Sequence, residues 1–395
     1  MWLVFPNRRL QWHTWSSQNK LKQCLIEYLF GKKTTNSEYR PITNDLELFY
    51  NARSALYHGI QALGIWTDDE IILQAYTCVS VANSIIATGA TPLYVDIDLE
   101  SLNIDPTKIE ESITPHTKAI LIQHTFGIPA NIKAIQKICS DYKLVLIEDC
   151  CHALGAEYNW RKLGTFWDIA IFSFGRDKII SSVNGWALLI NNSKVLENQK
   201  TKTKKNIIHQ SSWVIVQNLL YIIVWQICKI TYKIGIGKFI YYVSAKYRLF
   251  PIIVTKKEKE CCYTDFNYVL PNCLADIALH ELDKIDEYNV IRRKNSELYD
   301  QLLFSLDNKS KNSGLLRYLY LIPHPLPLMQ KFKSHNIILW DRYQQVIAPK
   351  WTNYSMAFYT IWSCPIAEFV ASQSINLPNH AQITEKDVRK IVSIL

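Results

Sequence analysis

The sequence predicts an α/β protein with a large, doubly wound, mostly parallel sheet domain and a smaller C-terminal α+β domain. Short apolar runs rich in β-branched residues alternate with helical segments from residue 70 to residue 148, which is typical of a parallel sheet. The chain has 395 residues, 48% of them apolar and 20% charged, so it is long enough for two globular domains. Right-handed crossovers would bring the carboxyl ends of the strands to one edge, where such sheets bind ligands.

The elements can be placed in order from their apolar periodicity. A helix is expected from about Asn51. Strands are predicted at 70–74, 92–97, 118–124, 144–148, 168–174 and 186–190, and helices at 77–87, 106–113, 132–141 and 274–302. We divide the chain into a large domain (1–205), an apolar and basic insertion (206–261) and a small domain (262–395).

One carboxylate and one amine lie at the ends of two predicted strands. Asp149 ends the run that begins at Leu144, and Lys178 comes just after the strand ending at Phe174. An enzyme that uses pyridoxal phosphate (PLP) needs such a pair. A lysine holds the cofactor as a Schiff base, and an acid keeps the pyridine nitrogen protonated so that the ring can accept electrons.

Two motifs carry a family resemblance. The segments EDCCHALG (148–155) and FSFGRDK (172–178) have the order and spacing found in DegT/StrS-type sugar aminotransferases, and the chain resembles these PLP enzymes of the aspartate aminotransferase fold. The resemblance implies that Lys178 is the Schiff-base lysine and that Asp149 partners the pyridine nitrogen. It further implies that Ser173 binds the phosphate and that His152 lies beside the ring.

Other family positions are matched less closely. Arg53 and Ser54 lie in the segment that resembles the family's phosphate loop, although an ordinary helix start with a surface arginine would read the same way. Tyr76 is either a ring-stacking residue or a partly buried turn residue. The resemblance implies that Asn267 reaches the phosphate of a partner subunit, and hence that the protein is a homodimer. Departures occur at Ala52, Cys78, Trp186 and Val269, and the mouth of the site is expected near Trp340, Asp341 and Tyr343.

The resemblance also implies a reaction. Glutamate would donate an amino group to a nucleotide-linked keto-sugar in the biosynthesis of a cell-surface polysaccharide or glycan, with Lys178 as the proton shuttle. A dehydratase branch of the family carries a histidine in place of this lysine, so the presence of Lys178 argues against that branch. Two alternatives stay open: a PLP enzyme with another substrate, and a catalytically degenerate, membrane-associated scaffold of the same fold.

The positive charge is concentrated in one segment. Residues 196–260 carry twelve Lys or Arg and three Glu, which accounts for the whole net charge of +9. A nucleic-acid groove would spread its basic residues more widely, so we expect no nucleic-acid partner. Within the segment, the run from Trp213 to Cys228 is too short for a membrane span of about 20 residues.

An amphipathic helix on an anionic membrane surface fits this segment, as does a helix packed on the large domain or across the dimer. In the membrane interpretation, Asn218, Gln226, Lys229 and Lys233 form the polar side, and Trp213, Tyr221 and Trp225 lie on the apolar face.

The ten cysteines lack zinc spacing and are expected to be reduced. We therefore expect a cytoplasmic protein without a metal, peripheral on the inner membrane face if the helix binds lipid.

Overall fold

The structure is a computed structural model that describes residues 16–31, 45–202, 208–232, 234–247, 249–263, 265–304, 315–337, 339 and 343–395. Trp340 and Asp341, predicted to shape the mouth of the site, lie outside the described residues, as do Lys204, Lys205 and Lys233 of the basic segment.

A seven-stranded sheet forms the centre of the large domain, and this confirms the predicted fold class. Its strands are β1 (Leu46–Phe49), β2 (Glu70–Gln74), β3 (Thr91–Val95), β4 (Thr117–Gln123), β5 (Val145–Asp149), β8 (Ile169–Ser173) and β9 (Trp186–Ile190), in the order β1-β9-β8-β5-β4-β2-β3. The five strands from β8 to β3 are parallel, whereas β9 runs antiparallel to both β8 and β1. The short strands β6 (Glu157–Tyr158) and β7 (Arg161–Lys162) form a separate hairpin.

Helices cover both faces of this sheet. They are α2 (Ala52–Ala62), α3 (Val79–Ala87), α4 (Pro106–Glu111), α5 (Ile132–Tyr142) and α6 (Ser193–Lys202). Apolar side chains alternate along the strands, so that Ile71 and Leu121 face one buried cluster while Ile72 and Ile120 face another. The predicted bounds of β2 and β9 are confirmed, and the other predicted elements between residues 70 and 190 end within about two residues of the observed ones.

An N-terminal helix, α1 (Ser16–Phe30), precedes the first element that was predicted, the helix from about Asn51. Its apolar side chains Leu21, Leu25, Ile26 and Leu29 are buried in the same cluster as α10 (Asn272–Leu282). The predicted single helix over 274–302 is wrong, because α10 ends at Leu282 and α11 (Ile285–Phe304) starts after a turn. The reason is packing: α10 lies against α1, and α11 lies against α14 (Glu385–Val392).

The C-terminal part pairs two antiparallel strands with helices. These elements are β10 (Tyr318–Leu321), β11 (Ser374–Leu377), α12 (Pro325–Ser334) and α13 (Pro365–Gln373), besides α11 and α14. Their core contains Tyr299, Phe332 and Ile375. The division of the chain into the three predicted segments stays a prediction.

The insertion forms a helical hairpin of α7 (Ser212–Ile230) and α8 (Ile236–Lys246), followed by the short α9 (Lys256–Lys259). With 19 residues, α7 is longer than the predicted run and is long and apolar enough, by length and composition alone, to cross a membrane. The predicted orientation of this helix is wrong in one respect: Asn218 and Tyr221 are both buried against the rest of the protein. Trp213 is exposed, and its predicted contact with a membrane stays a prediction.

Candidate active site

The residues of the two motifs meet at the carboxyl edge of the sheet. Asp149 is the last residue of β5 and Ser173 the last of β8, and these two strands are neighbours. A Cβ placed on Gly175 would lie 3.4 Å from Ser173 Oγ, 3.5 Å from the Trp186 ring and 3.6 Å from Lys178 Cγ, so these three side chains surround one point. Trp186 therefore both begins β9 and borders the lysine.

Asp149 is buried beside this group, and one of its carboxylate oxygens accepts a hydrogen bond of 2.9 Å from the Cys151 backbone N–H. Burial and the Asp149 carboxylate raise the pKa of the Cys151 thiol well above its usual value, while Lys178 acts in the opposite direction. Cys151 is therefore a neutral thiol that lies within electrostatic range of both members of the predicted pair. A buried carboxylate at this place is suited to holding a proton on a ring nitrogen.

The start of α2 offers an anion site at the same edge. Asn51 caps the helix, and its side-chain oxygen accepts from the Ser54 backbone N–H at 2.8 Å and from Ser54 Oγ at 2.9 Å. The first N–H groups of an α-helix lack partners within the helix and favour a negative charge. Since Ser173 ends the strand beside β9, and β9 pairs with β1, α2 begins close to Ser173. The residues therefore fit a phosphate-bearing cofactor.

Arg53 is engaged by the segment that follows the insertion. Its Nη1 lies 2.5 Å from Glu258 Oε1, and the two side chains are 11% and 0% exposed. The same guanidinium lies 4.7 Å from the centroid of the Tyr263 ring and donates to the Ile253 carbonyl at 3.3 Å. The phosphate role predicted for Arg53 would have to compete with this buried carboxylate.

His152 belongs to a buried aromatic cluster. Its ring stacks on Phe126 with centroids 5.6 Å apart, and its Nδ1 accepts from the Phe126 N–H at 3.4 Å. This leaves the proton on Nε2, which faces the Tyr343 hydroxyl at 3.3 Å. Tyr76 is fully buried in the same cluster, 5.2 Å from Tyr343 between ring centroids. Of the two interpretations of Tyr76, the buried one fits better, and Tyr343 likewise has a core position.

Asn267 contacts its own chain. Its side-chain oxygen lies 3.1 Å from His58 Nε2, and its backbone carbonyl accepts from the Ile208 N–H at 3.0 Å. The predicted reach to a partner's phosphate stays a prediction.

Glu148, for which no role was predicted, is fully buried. Its two carboxylate oxygens accept from the Gly164 and Phe166 N–H groups at 2.8 and 2.9 Å. His124 Nδ1 accepts from the Ala130 N–H, so its Nε2 donates to Glu148 at 3.2 Å. This network fixes the end of β5 beside Asp149, and its signal in the sequence was only the acid that precedes Asp149.

Two residues of this network, with Cys150, are of the types that bind metal ions. The potential ligand atoms of His124, Glu148 and Cys150 lie within 4.8 Å of one another. Burial and the neighbouring carboxylates raise the pKa of the Cys150 thiol well above its usual value. A thiol that stays protonated is a poor metal ligand, and the carboxylate already accepts three hydrogen bonds. We interpret the group as a hydrogen-bonded part of the core.

The fold and this site together define a PLP-dependent enzyme. Residues 49–212 and 245–395 match the DegT/DnrJ/EryC1/StrS aminotransferase family, and the chain belongs to that family. Its cofactor is therefore pyridoxal phosphate, and its reaction is an amino-group transfer. When bound, PLP supplies the electron sink for that transfer. The unmatched residues between the two ranges, 213–244, are those of the α7–α8 hairpin, apart from its first residue and its last two.

Similar proteins support this assignment. The chain is 27% identical over 355 residues to the GDP-perosamine synthase of Caulobacter vibrioides, covering 87% of this chain and 83% of that protein. It is 37% identical over 144 residues to the spore coat polysaccharide biosynthesis protein SpsC of Bacillus subtilis, covering 36% and 37% of the two chains.

Among solved structures, the fold is similar to that of Helicobacter pylori PseC, an aminotransferase involved in the biosynthesis of pseudoaminic acid. The TM-score is 0.70 at 21% identity, covering 96% of this chain and 90% of that one. It is also similar to DesV of S. venezuelae, with a TM-score of 0.71 at 18% identity over 99% and 89% of the two chains.

Proposed function

We propose that this aminotransferase transfers the amino group of glutamate to the keto group of a nucleotide-linked sugar, in the biosynthesis of a cell-surface polysaccharide or glycan. The observation that carries the proposal is the meeting of Asp149, Ser173 and Lys178 at the ligand edge of the sheet. Support for a sugar substrate comes from the GDP-perosamine synthase that the chain matches over most of its length.

Each residue has a role in this proposal. Lys178 holds the cofactor and, once released, moves a proton to or from the carbon that carries the amine, which requires a neutral amine. Asp149 keeps the pyridine nitrogen protonated through its charge. Ser173, Ser54 and the N–H groups of α2 bind the phosphate, and His152 borders the ring from the aromatic cluster.

The test replaces the lysine. Lys178→Ala is expected to abolish both the PLP adduct that borohydride traps and all transamination from glutamate, because no other amine is assigned to the cofactor. Lys194→Ala, which removes an exposed lysine just after β9, is the control and should retain both. If the Lys178→Ala variant is labelled by borohydride and PLP as fully as the wild type, Lys178 does not hold the cofactor. Keto-sugars on different nucleotides, GDP first, then identify the acceptor.

We also propose that the enzyme is a homodimer in which Asn267 contributes to the partner's site. Its side chain would exchange the intrachain contact with His58 for the neighbouring phosphate. Light scattering is expected to give twice the monomer mass, and a monomer that binds one PLP per chain would contradict the shared site.

Finally, we propose a cytoplasmic location, peripheral on the inner membrane face. The support is the concentration of twelve basic residues around an inserted helical hairpin that exposes apolar side chains. Such a location suits an enzyme that supplies sugars to lipid-linked assembly.

A further inference from the structure

The loop that carries Lys178 is attached to the inserted helix α7 on both sides of the lysine. Arg176 comes two residues before Lys178, and its guanidinium lies 4.3 Å from the centroid of the Tyr221 ring of α7. Asn184 comes six residues after it and donates to Asn218 Oδ1 of α7 at 2.7 Å. Between them, Val183 packs in one buried cluster with Tyr221 and Ile222.

Asn218 joins three segments of the chain. Its amide donates to the Tyr50 hydroxyl at 2.9 Å and to the Val214 carbonyl, while its oxygen accepts from Asn184. Asn184 also donates to the Tyr50 hydroxyl, at 3.2 Å. Tyr50 directly precedes Asn51, the cap of the phosphate-binding helix α2. Asn218 is the buried amide of a mostly apolar helix, and because both its amide nitrogen and its oxygen have partners, it specifies one docked position of that helix.

Arg176 adds a second attachment. Its guanidinium donates to the Pro251 carbonyl, in the segment that leaves the hairpin, and lies over Tyr221. Burial lowers the pKa of Arg176, while Tyr221 partly restores it. The Arg176 guanidinium is therefore partly shielded from water, and its contacts with Tyr221 and Pro251 come from the insertion.

The opposite side of the hairpin is apolar and exposed. On α7 the exposed residues recur at helical spacing and form a single stripe, which consists of Trp213, Val216, Leu220, Ile223, Ile227 and Ile230. On α8, Phe239 and Tyr242 are 68% and 62% exposed. The basic residues Lys238 and Lys246 are exposed on the same helix. Aromatic and aliphatic side chains beside lysines complement a bilayer with anionic headgroups.

We propose that the α7–α8 hairpin couples an anionic bilayer to the cofactor site. Its outer stripe binds the bilayer, and Asn218 and Tyr221 on its inner side position the Lys178 loop, so that lipid binding tightens the binding of PLP. The coupling rests on the membrane-surface location proposed above and adds a regulation of the same site. The bilayer favours the docked hairpin because undocking would expose the Asn218 amide to hydrocarbon without its partners.

The experiment measures PLP affinity and vesicle flotation on the full chain, without any sugar. Asn218→Leu keeps the helix apolar but removes the attachment, and it is expected to raise the Kd of PLP about tenfold and to speed hydrogen exchange in residues 175–185. Cys228→Ala is the matched control. Cys228 is buried on the same helix, where its backbone packs against Gly237 of α8, so this change should lower stability without changing the Kd of PLP.

Vesicles of phosphatidylcholine containing phosphatidylglycerol supply the bilayer, and pure phosphatidylcholine is the control. With anionic vesicles the wild type should float and bind PLP more tightly. Asn218→Leu should float without that gain. Ile223→Glu, on the outer stripe, should neither float nor gain, and its Kd for PLP without vesicles should equal that of the wild type.

Three results would overturn the coupling. PLP affinity that is unchanged or weaker when the wild type floats would mean that the bilayer does not act through the loop. Wild-type PLP affinity in Asn218→Leu would remove the positioning role. A wild type that stays at the bottom would also refute the membrane location, while the aminotransferase assignment would be unaffected because sugar turnover is measured separately.

Discussion

Arg53 and Glu258 form a buried ion pair between α2 and the segment that follows the hairpin. Replacing either residue therefore gives a quantitative prediction for the free energy of unfolding. The two side chains are 11% and 0% exposed, and their charged atoms are 2.5 Å apart. In Arg53→Met the Glu258 carboxylate keeps the hydrogen bond from the Thr255 N–H at 2.7 Å but loses its counter-charge. Leaving one charge of such a pair buried costs about 3–5 kcal/mol in the free energy of unfolding.

The loss of unfolding free energy in Arg53→Met should depend on pH, and the pKa of Glu258 sets the direction. Burial raises the pKa of Glu258 and Arg53 lowers it, so removing Arg53 raises that pKa further. A folded-state pKa above the unfolded value means that stability falls as pH rises from the unfolded pKa through the folded one. The deficit of Arg53→Met should therefore be largest at about pH 7.5 and smaller at about pH 5.5, where more of the acid is neutral.

Urea denaturation of the two single variants and the double variant measures the coupling. Glu258→Gln should cost less, about 1–3 kcal/mol, because Arg53 keeps the Ile253 carbonyl and the Tyr263 ring. The double variant should cost clearly less than the sum of the single variants. Additive losses, or a deficit of Arg53→Met that does not change with pH, would refute this reasoning.

The same variants test whether Arg53 contacts the phosphate. If it does, Arg53→Met weakens PLP binding, and Glu258→Gln, which releases the guanidinium, tightens it. Parallel changes of PLP affinity in both variants would contradict the phosphate role.

Two further predictions concern packing and cysteine reactivity. Gly164→Ala should cost at least about 3 kcal/mol in unfolding free energy, because the φ of Gly164 is +89° and a Cβ there would collide with the Phe172 ring. The control is Gly64→Ala, which should cost only about 1–2 kcal/mol because Gly64 has a φ of +76° but nothing within 4 Å of the added Cβ. Equal losses in urea denaturation would contradict this. Iodoacetamide at about pH 8 should modify the exposed Cys262 first and spare Cys151, because burial raises the pKa of the Cys151 thiol. Mass spectrometry identifies the modified cysteines, and modification of Cys151 before Cys262 would show that the site is open to the reagent.

The sequence by itself determined the sheet and the meeting of the motif residues. Strand bounds such as those of β2 and β9 follow from runs of apolar residues, which are local signals. Asp149 and Ser173 had to meet at one edge because each ends a parallel strand, and parallel strands bring their carboxyl ends together. The family motif then implied which amine belongs to the site.

The tertiary structure decided what packs against each side of these elements. Periodicity marked the amides of α7 as one side of a helix, but only the folded chain shows Asn218 turned inward to Tyr50 and Asn184. In the same way, the sequence places Arg53 where it could bind a phosphate, and only the folded chain shows that Glu258, about 200 residues away in sequence, lies beside it. A sequence pattern records how the two faces of an element differ, whereas the partner of each face depends on contacts between residues distant in the chain.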